Sequence, residues 1–297
     1  MPSVMLRERL FRTGFLASDM ADLADETGVE PYHVGTMSSP DTPPVQHWID
    51  RLFARHEREL TFREISRGLA ALTQDYVQKR QRLQKDAFEG RGKRAAFACY
   101  YGPVHFLLLQ RVFAALDVAA TAPLPALDLG CGTGVAGAAW ARCWNPAPPV
   151  TGVEPNGWSL AEARETWRDL GLQGRPVGGP LEKLRWPRGP QAILGAYVVN
   201  ELSIEGRLAL QKELLRQIQQ GSAVFIVEPL ATRIVPWWFD WTEAFKPAGG
   251  RIDEWRYSLD LPERVALLGK AGGLDPREHG CRTLWVPPQA AASGIRA

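Results

Sequence analysis

The chain has 297 residues, with 35 Lys and Arg against 33 Asp and Glu and a formal net charge of +2. That length holds a full core, so one large domain with an extension is expected. The near-neutral charge gives no global sign of a nucleic-acid binder, no apolar run approaches the roughly 20 residues of a membrane span, and the charged start of the chain (Arg7, Glu8, Arg9, Arg12) does not read as a secretory signal.

Residues 1 to about 45 read as a short helix followed by irregular chain, with Ser38-Ser39-Pro40-Asp41-Thr42-Pro43-Pro44 a linker by composition. From 46 to 118 the pattern is helical. Trp48, Ile49, Leu52 and Phe53 recur at helical spacing, as do Ile65, Leu69, Leu72 and Tyr76. Gly90-Arg91-Gly92 punctuates, and helix resumes from Ala95 to Leu116 with an interruption at Gly102-Pro103. The stretch 51–94 carries twelve basic residues against six acids. Two readings fit it, phosphate contacts or a solvated helix face. Tyr101 and His105 are candidates to orient or deprotonate a nucleophile, with simple packing in a helix as the alternative for each.

Beyond residue 121, strands and helices alternate. Strands are expected at Ala126–Leu129, Val150–Glu154, Pro176–Gly178, Ala192–Val198, Ala223–Glu228, Leu274–Glu278 and Thr283–Val286. Helices are expected at Val135–Cys143, Ser159–Leu170, Ile204–Gln219 and Pro262–Ala271. Short strands separated by helices imply a parallel sheet covered on both faces. Only a short turn at His279-Gly280 separates the last two strands, which therefore pair antiparallel. The expected organisation is an N-terminal helical region (1–118), an α/β domain (119–288) and a flexible tail (289–297), with no internal repeat.

The most informative stretch is Asp128-Leu129-Gly130-Cys131-Gly132-Thr133-Gly134, between an apolar strand and a small-residue helix. Its glycines let the backbone turn tightly and let a ligand lie against the main chain. The spacing G-x-G-x-G differs from the dinucleotide fingerprint G-x-G-x-x-G, and no Lys-Ser/Thr follows to make a P-loop. Glu154 closes the next strand, where a nucleotide-type fold holds ribose hydroxyls. Ligands of such sheets lie beyond the carboxyl ends of the strands. Strand four closes with Tyr197, Asn200 and Glu201, where Glu201 is either a site carboxylate or a cap on the helix near Ile204. Strand five closes with Glu228, which either faces a substrate or anchors the following loop. Trp237, Trp238 and Trp241 lie with two Phe in a nine-residue run, as a wall for a planar substrate or as packing. The four cysteines make no CxxC pair, so neither a metal site nor disulfides are expected, and Cys131 fits its loop by small size alone.

The Asp-x-Gly-x-Gly-x-Gly pattern resembles motif I of the class I S-adenosylmethionine-dependent methyltransferases. The resemblance implies a Rossmann-like α/β fold: a mostly parallel seven-stranded sheet with an antiparallel last strand, here with an N-terminal helical extension. It implies S-adenosyl-L-methionine as cofactor. The loop of Asp128, Gly130, Cys131, Gly132 and Gly134 would underlie the amino-acid end, and Glu154, followed by Pro155, would take the ribose hydroxyls. Leu181 and Glu182 occupy the usual adenine position and Asn200 the end of strand four. The Asp/Asn-Pro-Pro-Tyr/Phe motif of many amino-methylating relatives is absent.

Three further segments are similar to the Rsm22-like methyltransferases of the small ribosomal subunit: Leu69–Tyr76 with Tyr100–Pro103, Ala196–Ser203, and Val227-Glu228-Pro229. The chain departs from that family in lacking its cysteine-rich iron-sulfur site and in carrying Leu230-Ala231-Thr232 where Gly-Thr-Pro is expected. The expectation is a cytoplasmic methyltransferase acting on a small molecule or peptide. RNA or the ribosome is the alternative partner, and a non-catalytic cofactor-binding protein the third reading.

Overall fold

The structure, a computed structural model, describes residues 43–78, 89–274 and 278–288. The expected N-terminal helix, the basic residues Lys79, Arg80, Arg82 and Lys85, and the tail 289–297 lie outside them. Two compact units emerge among the described residues. One takes the chain up to Val104 together with Arg256–Gly280; the other takes His105–Trp255 together with the chain from Cys281.

The first unit is helical. Helix α1 (Pro43–His56) buries Trp48, Ile49, Leu52 and Phe53, and α2 (Phe62–Gln78) buries Ile65, Leu69 and Leu72, the stripes that the spacing predicts. Pro43 and Pro44, expected in a linker, instead open α1, where a missing N–H costs nothing. A capping box starts α2: the Thr61 hydroxyl accepts the Glu64 N–H at 3.3 Å, and the Glu64 carboxylate accepts the Thr61 N–H at 2.7 Å. Helix α3 (Arg91–Ala96) meets α2 backbone to backbone, since a Cβ on Gly68 would stand 2.2 Å from the Gly92 carbonyl oxygen. The predicted break at Gly102-Pro103 is a π-helical turn, Phe97–Tyr101, that leads straight into α4 (Gly102–Ala115). The Gly102 N–H reaches back five residues to the Phe97 carbonyl, so Pro103 is accommodated without ending the helix.

The second unit is built on the sheet. Strands β1 (Ala126–Leu129), β2 (Val150–Glu154), β3 (Gly174–Gly178), β4 (Ala192–Ala196) and β5 (Ala223–Glu228) alternate with helices α5 (Val135–Ala141), α6 (Gly157–Asp169) and α7 (Ile204–Gln219). Helix α8 (Trp238–Phe245), strand β6 (Arg251–Tyr257), helix α9 (Glu263–Ala271) and strand β7 (His279–Val286) follow. The seven strands lie in the order β3-β2-β1-β4-β5-β7-β6. Pairs within β1 to β5 are parallel, and β7 is antiparallel to β5. This is the Rossmann-like fold of class I methyltransferases that the sequence implies.

One expectation is corrected. The sheet neighbour of β7 is β6, upstream of α9, in place of the segment expected at Leu274–Glu278, of which 275–277 lie outside the described residues, and β7 begins at the residues expected to turn. Arg251, Asp253, Glu254 and Arg256 give β6 the charge of a surface segment, which an edge strand tolerates.

Side chains alternate between the faces of the sheet. Val224, Ile226, Leu284 and Val286 enter a core with Leu210, Leu214 and Ile218 of α7 and with Trp238, Trp241 and Phe245 of α8. Phe225 and Trp285 instead join Phe113 and Trp140, with Phe113 in edge contact with Phe225 at 4.7 Å and with Trp140 at 5.5 Å. Strand order reverses direction between β1 and β4, which opens a crevice at their carboxyl ends.

Candidate functional site

The glycine loop lies at that crevice. Gly130, Gly132 and Gly134 all have positive φ (60°, 50° and 79°), the region where a side chain is strained. Packing adds a second reason at two of them. A Cβ on Gly130 would stand 2.3 Å from Val198 Cγ2, and one on Gly134 would stand 2.8 Å from the Trp167 ring, whose indole N–H donates to the Gly134 carbonyl at 2.9 Å. Gly132 differs, because a Cβ there would meet nothing within 4 Å. The loop surface is open at that residue.

Two acids organise the loop. Asp128 is fully buried at the end of β1 and accepts the Gly137 N–H at 2.8 Å, tying the strand to the first turn of α5. Its other oxygen is buried without a hydrogen-bond partner, and desolvation pushes its carboxyl up to about 7. Glu154 is half-buried. One of its oxygens accepts the Gly132 N–H at 3.2 Å and the other the Asn156 N–H at 2.9 Å, while burial raises its carboxyl. Asn156 caps α6 by accepting the N–H groups of Trp158 and Ser159, and Pro155 is exposed beside it. Cys131 points beneath the loop, since a Cβ on Gly152 would meet its Sγ at 2.6 Å. Burial, with Asp128 and Glu154 nearby, pushes its thiol well up.

Across the crevice, β4 is followed by Tyr197, a non-glycine residue with φ 58°. Such a backbone costs about 1–3 kcal/mol and persists only where its surroundings enforce it. The Val227 carbonyl accepts the Tyr197 N–H at 2.9 Å, and the His105 ring stacks on the Tyr197 ring at 4.5 Å. Glu228, fully buried, accepts the N–H groups of Val199 at 3.1 Å and Asn200 at 3.2 Å through one oxygen. Desolvation pushes its carboxyl up to about 8, and its second oxygen is buried without a partner. Glu228 therefore anchors the loop after β4. Asn200 is half-exposed in a short 3-10 turn. Glu201 is exposed, and desolvation raises its carboxyl. It does not cap α7; Ser203 does, its hydroxyl accepting the Gly206 N–H at 3.0 Å. Leu181 packs partly against the core, and exposed Glu182 approaches α7, since a Cβ on Gly206 would lie 3.8 Å from its Oε1.

Trp237, Trp238 and Trp241 are buried in the core cluster, with Trp237 and Trp241 in edge contact at 5.1 Å. The run is aromatic because it forms most of a core-facing helix; Phe239, on its outer side, is 70% exposed. Tyr101 belongs to the helical unit, where its hydroxyl lies 3.4 Å from that of Thr73, and burial raises it. Sequence reading missed Arg282, which is buried on β7 opposite Glu228. Nothing in an isolated Arg just before the strand expected at Thr283–Val286 marks it. Among the described residues no helix is long and apolar enough to cross a membrane, and no group of His, Cys, Asp and Glu is arranged to hold a metal ion.

No protein-family model matches the sequence, and no curated protein sequence matches it. Solved structures are similar to it. The plantazolicin methyltransferase BpumL, in complex with SAH, shares 13% identity over 82% of this chain and 99% of that chain, with a TM-score of 0.45. A SAM-dependent methyltransferase from Aquifex aeolicus shares 16% identity over 63% of this chain and 98% of that chain, with a TM-score of 0.41. Its strand order, the antiparallel β7 and the glycine loop at the crevice give this chain the Rossmann-like class I methyltransferase fold.

Proposed function

We propose that the chain is an S-adenosyl-L-methionine-dependent methyltransferase whose acceptor is a small molecule or a peptide. The observation that carries this reading is Glu154: a half-buried carboxylate at the end of β2 that grips the glycine loop through Gly132. Each of its oxygens accepts one backbone N–H, which leaves lone pairs for the two hydroxyls of a ribose. Open space above Gly132 lets a ligand approach the main chain. The donor set therefore fits the cofactor, with Glu154 on the diol, the Gly130–Gly134 loop beneath and Asn200 in the turn after β4 facing it.

The cofactor supplies a methyl group already activated on a sulfonium, so the protein's work is alignment, exclusion of water and removal of a proton. Glu201 is the proton acceptor we assign. It keeps water access, and a raised carboxyl is a stronger base at neutral pH than an ordinary one. The stacked rings of Tyr197 and His105 form an aromatic edge for the acceptor. Exposed Ile204 and Leu208 lie on α7 just after the turn that carries Glu201, an apolar surface that supports a small-molecule or peptide acceptor over a phosphate backbone.

Calorimetric titration of the full chain with S-adenosylhomocysteine tests the cofactor. Saturable binding is expected, and none to a folded protein overturns the reading. Incubation with labelled methyl donor and fractionated cell extract tests the acceptor. Label is expected in the small-molecule or peptide fraction; label confined to RNA overturns that assignment.

A further inference from the structure

Glu228 and Arg282 are register partners on the antiparallel strands β5 and β7, and both are buried. Each reaches a different loop. Glu228 takes the N–H groups of Val199 and Asn200, directly after the left-handed Tyr197. Arg282 donates to the Leu230 carbonyl, lies 3.4 Å from the Thr232 hydroxyl in the loop after β5, and pairs with Glu254 at 3.2 Å. Its guanidinium also sits 5.7 Å from the centre of the Trp238 ring, at the start of α8. Burying two ionisable groups is costly, and a purely structural strand pair is served as well by apolar residues. What such residues cannot do is receive two backbone N–H groups on one side and donate to a carbonyl on the other. The strained Tyr197 backbone needs this kind of enforcement.

We infer that Glu228 and Arg282 form a cross-strand positioning pair, which fixes the loops after β4 and β5 and so sets Tyr197 and Asn200 toward the proposed cofactor and acceptor. The inference rests on the proposed methyltransferase reading for its purpose but not for its geometry. Glu228 acts through Val199 and Asn200, and Arg282 through Leu230 and Thr232; neither is a catalytic residue.

The test compares wild type with Glu228→Gln, Glu228→Ala and Arg282→Lys by residue-resolved hydrogen exchange, thermal melting and S-adenosylhomocysteine titration. Glutamine keeps a carbonyl oxygen for the two N–H groups, so protection at Val199 and Asn200 and an affinity within threefold of wild type are expected. Alanine removes the acceptor. Exchange at those two amides should rise at least tenfold, and affinity should fall at least tenfold, with exchange in β1 and β2 unchanged. Lysine keeps the charge of Arg282 but not its planar fork, so exchange should rise across residues 231–235 and not at Val199. Should Glu228→Ala fail to fold, the glutamine variant still decides, because loss of protection there overturns the inference. Unchanged exchange at Val199 and Asn200 in a folded alanine variant overturns it too. Absence of wild-type binding strikes the methyltransferase reading instead, and the exchange pattern then decides the pair alone.

Discussion

Glu154 joins two ends of the site: through Gly132 it holds the loop after β1, and through Asn156 it holds the residue that caps α6. The same carboxylate thus shapes the loop and offers acceptors to a ligand. Glu154→Ala is expected to weaken S-adenosylhomocysteine binding by about 1–3 kcal/mol, the cost of losing hydrogen bonds to a charged group in a partly buried site. Calorimetry measures it, and unchanged affinity in the folded variant shows that the ribose is held elsewhere.

Gly132 and Gly137 separate the needs of binding from those of folding. A Cβ on Gly137 would stand 2.5 Å from Val150 Cγ1 and 3.1 Å from the Asp128 carboxylate, so Gly137→Ala overpacks the seam between α5 and the sheet. A loss of about 1–3 kcal/mol in urea unfolding is expected. Gly132→Ala meets no atom but strains a backbone at φ 50°, which costs about 1–2 kcal/mol, and its methyl occupies the ligand side of the loop. For Gly132→Ala the loss of cofactor affinity should exceed the loss of stability; the reverse ratio places the ligand away from the loop.

Two buried carboxyls make stability fall as pH rises. Asp128 is pushed up to about 7 and Glu228 to about 8, both mainly by desolvation. Unfolded, such groups titrate near pH 4, so between these limits the native state holds more protons. Their contribution is full below about pH 4 and is lost as pH rises through 7 and 8. His279, held down to about 4 by burial, acts oppositely, and its contribution is lost as pH falls from about 6.5 through 4. Above about pH 7 His279 no longer changes, and the raised carboxyls and buried thiols all act in the same direction. The melting temperature should therefore drop between pH 6.5 and 8.5, and Asp128→Asn should flatten the lower part of that drop. A melting temperature that rises over this interval contradicts the burial of both charges.

Much of the sheet was legible because β1, β2, β4 and β5 are short apolar runs closed by an acid, a glycine or a turn, and the loop after β1 has a spacing few structures need. Glu154 was legible for the same reason, being an acid at a fixed place after an apolar strand. Edge strand β6 was hidden by its charges. The role of the Trp237–Phe245 run was hidden because composition counts aromatic rings without saying which way a helix turns them. Arg282 was invisible because its meaning lies in its register with Glu228, and register between strands 54 residues apart exists only in the folded chain.

Cysteine chemistry supplies the last expectation. Cys131 sits in a loop of nucleotide-binding shape, a position that invites a nucleophilic role, yet its sulfur lies beneath the loop beside Gly152. Burial and two neighbouring carboxylates raise its thiol, burial pushes Cys143 up to about 12, and burial raises Cys281 as well. Only the thiolate reacts with alkylating agents, so these three thiols should label slowly with iodoacetamide at pH 7.5 in the folded protein and quickly in denaturant. Cys131→Ser should then keep S-adenosylhomocysteine affinity within a fewfold of wild type, because the loop contacts that matter are made by main chain and Glu154. Rapid labelling of Cys131 in the folded state, identified by peptide mass spectrometry and blocked by S-adenosylhomocysteine, would show an outward-facing, reactive sulfur and overturn this expectation.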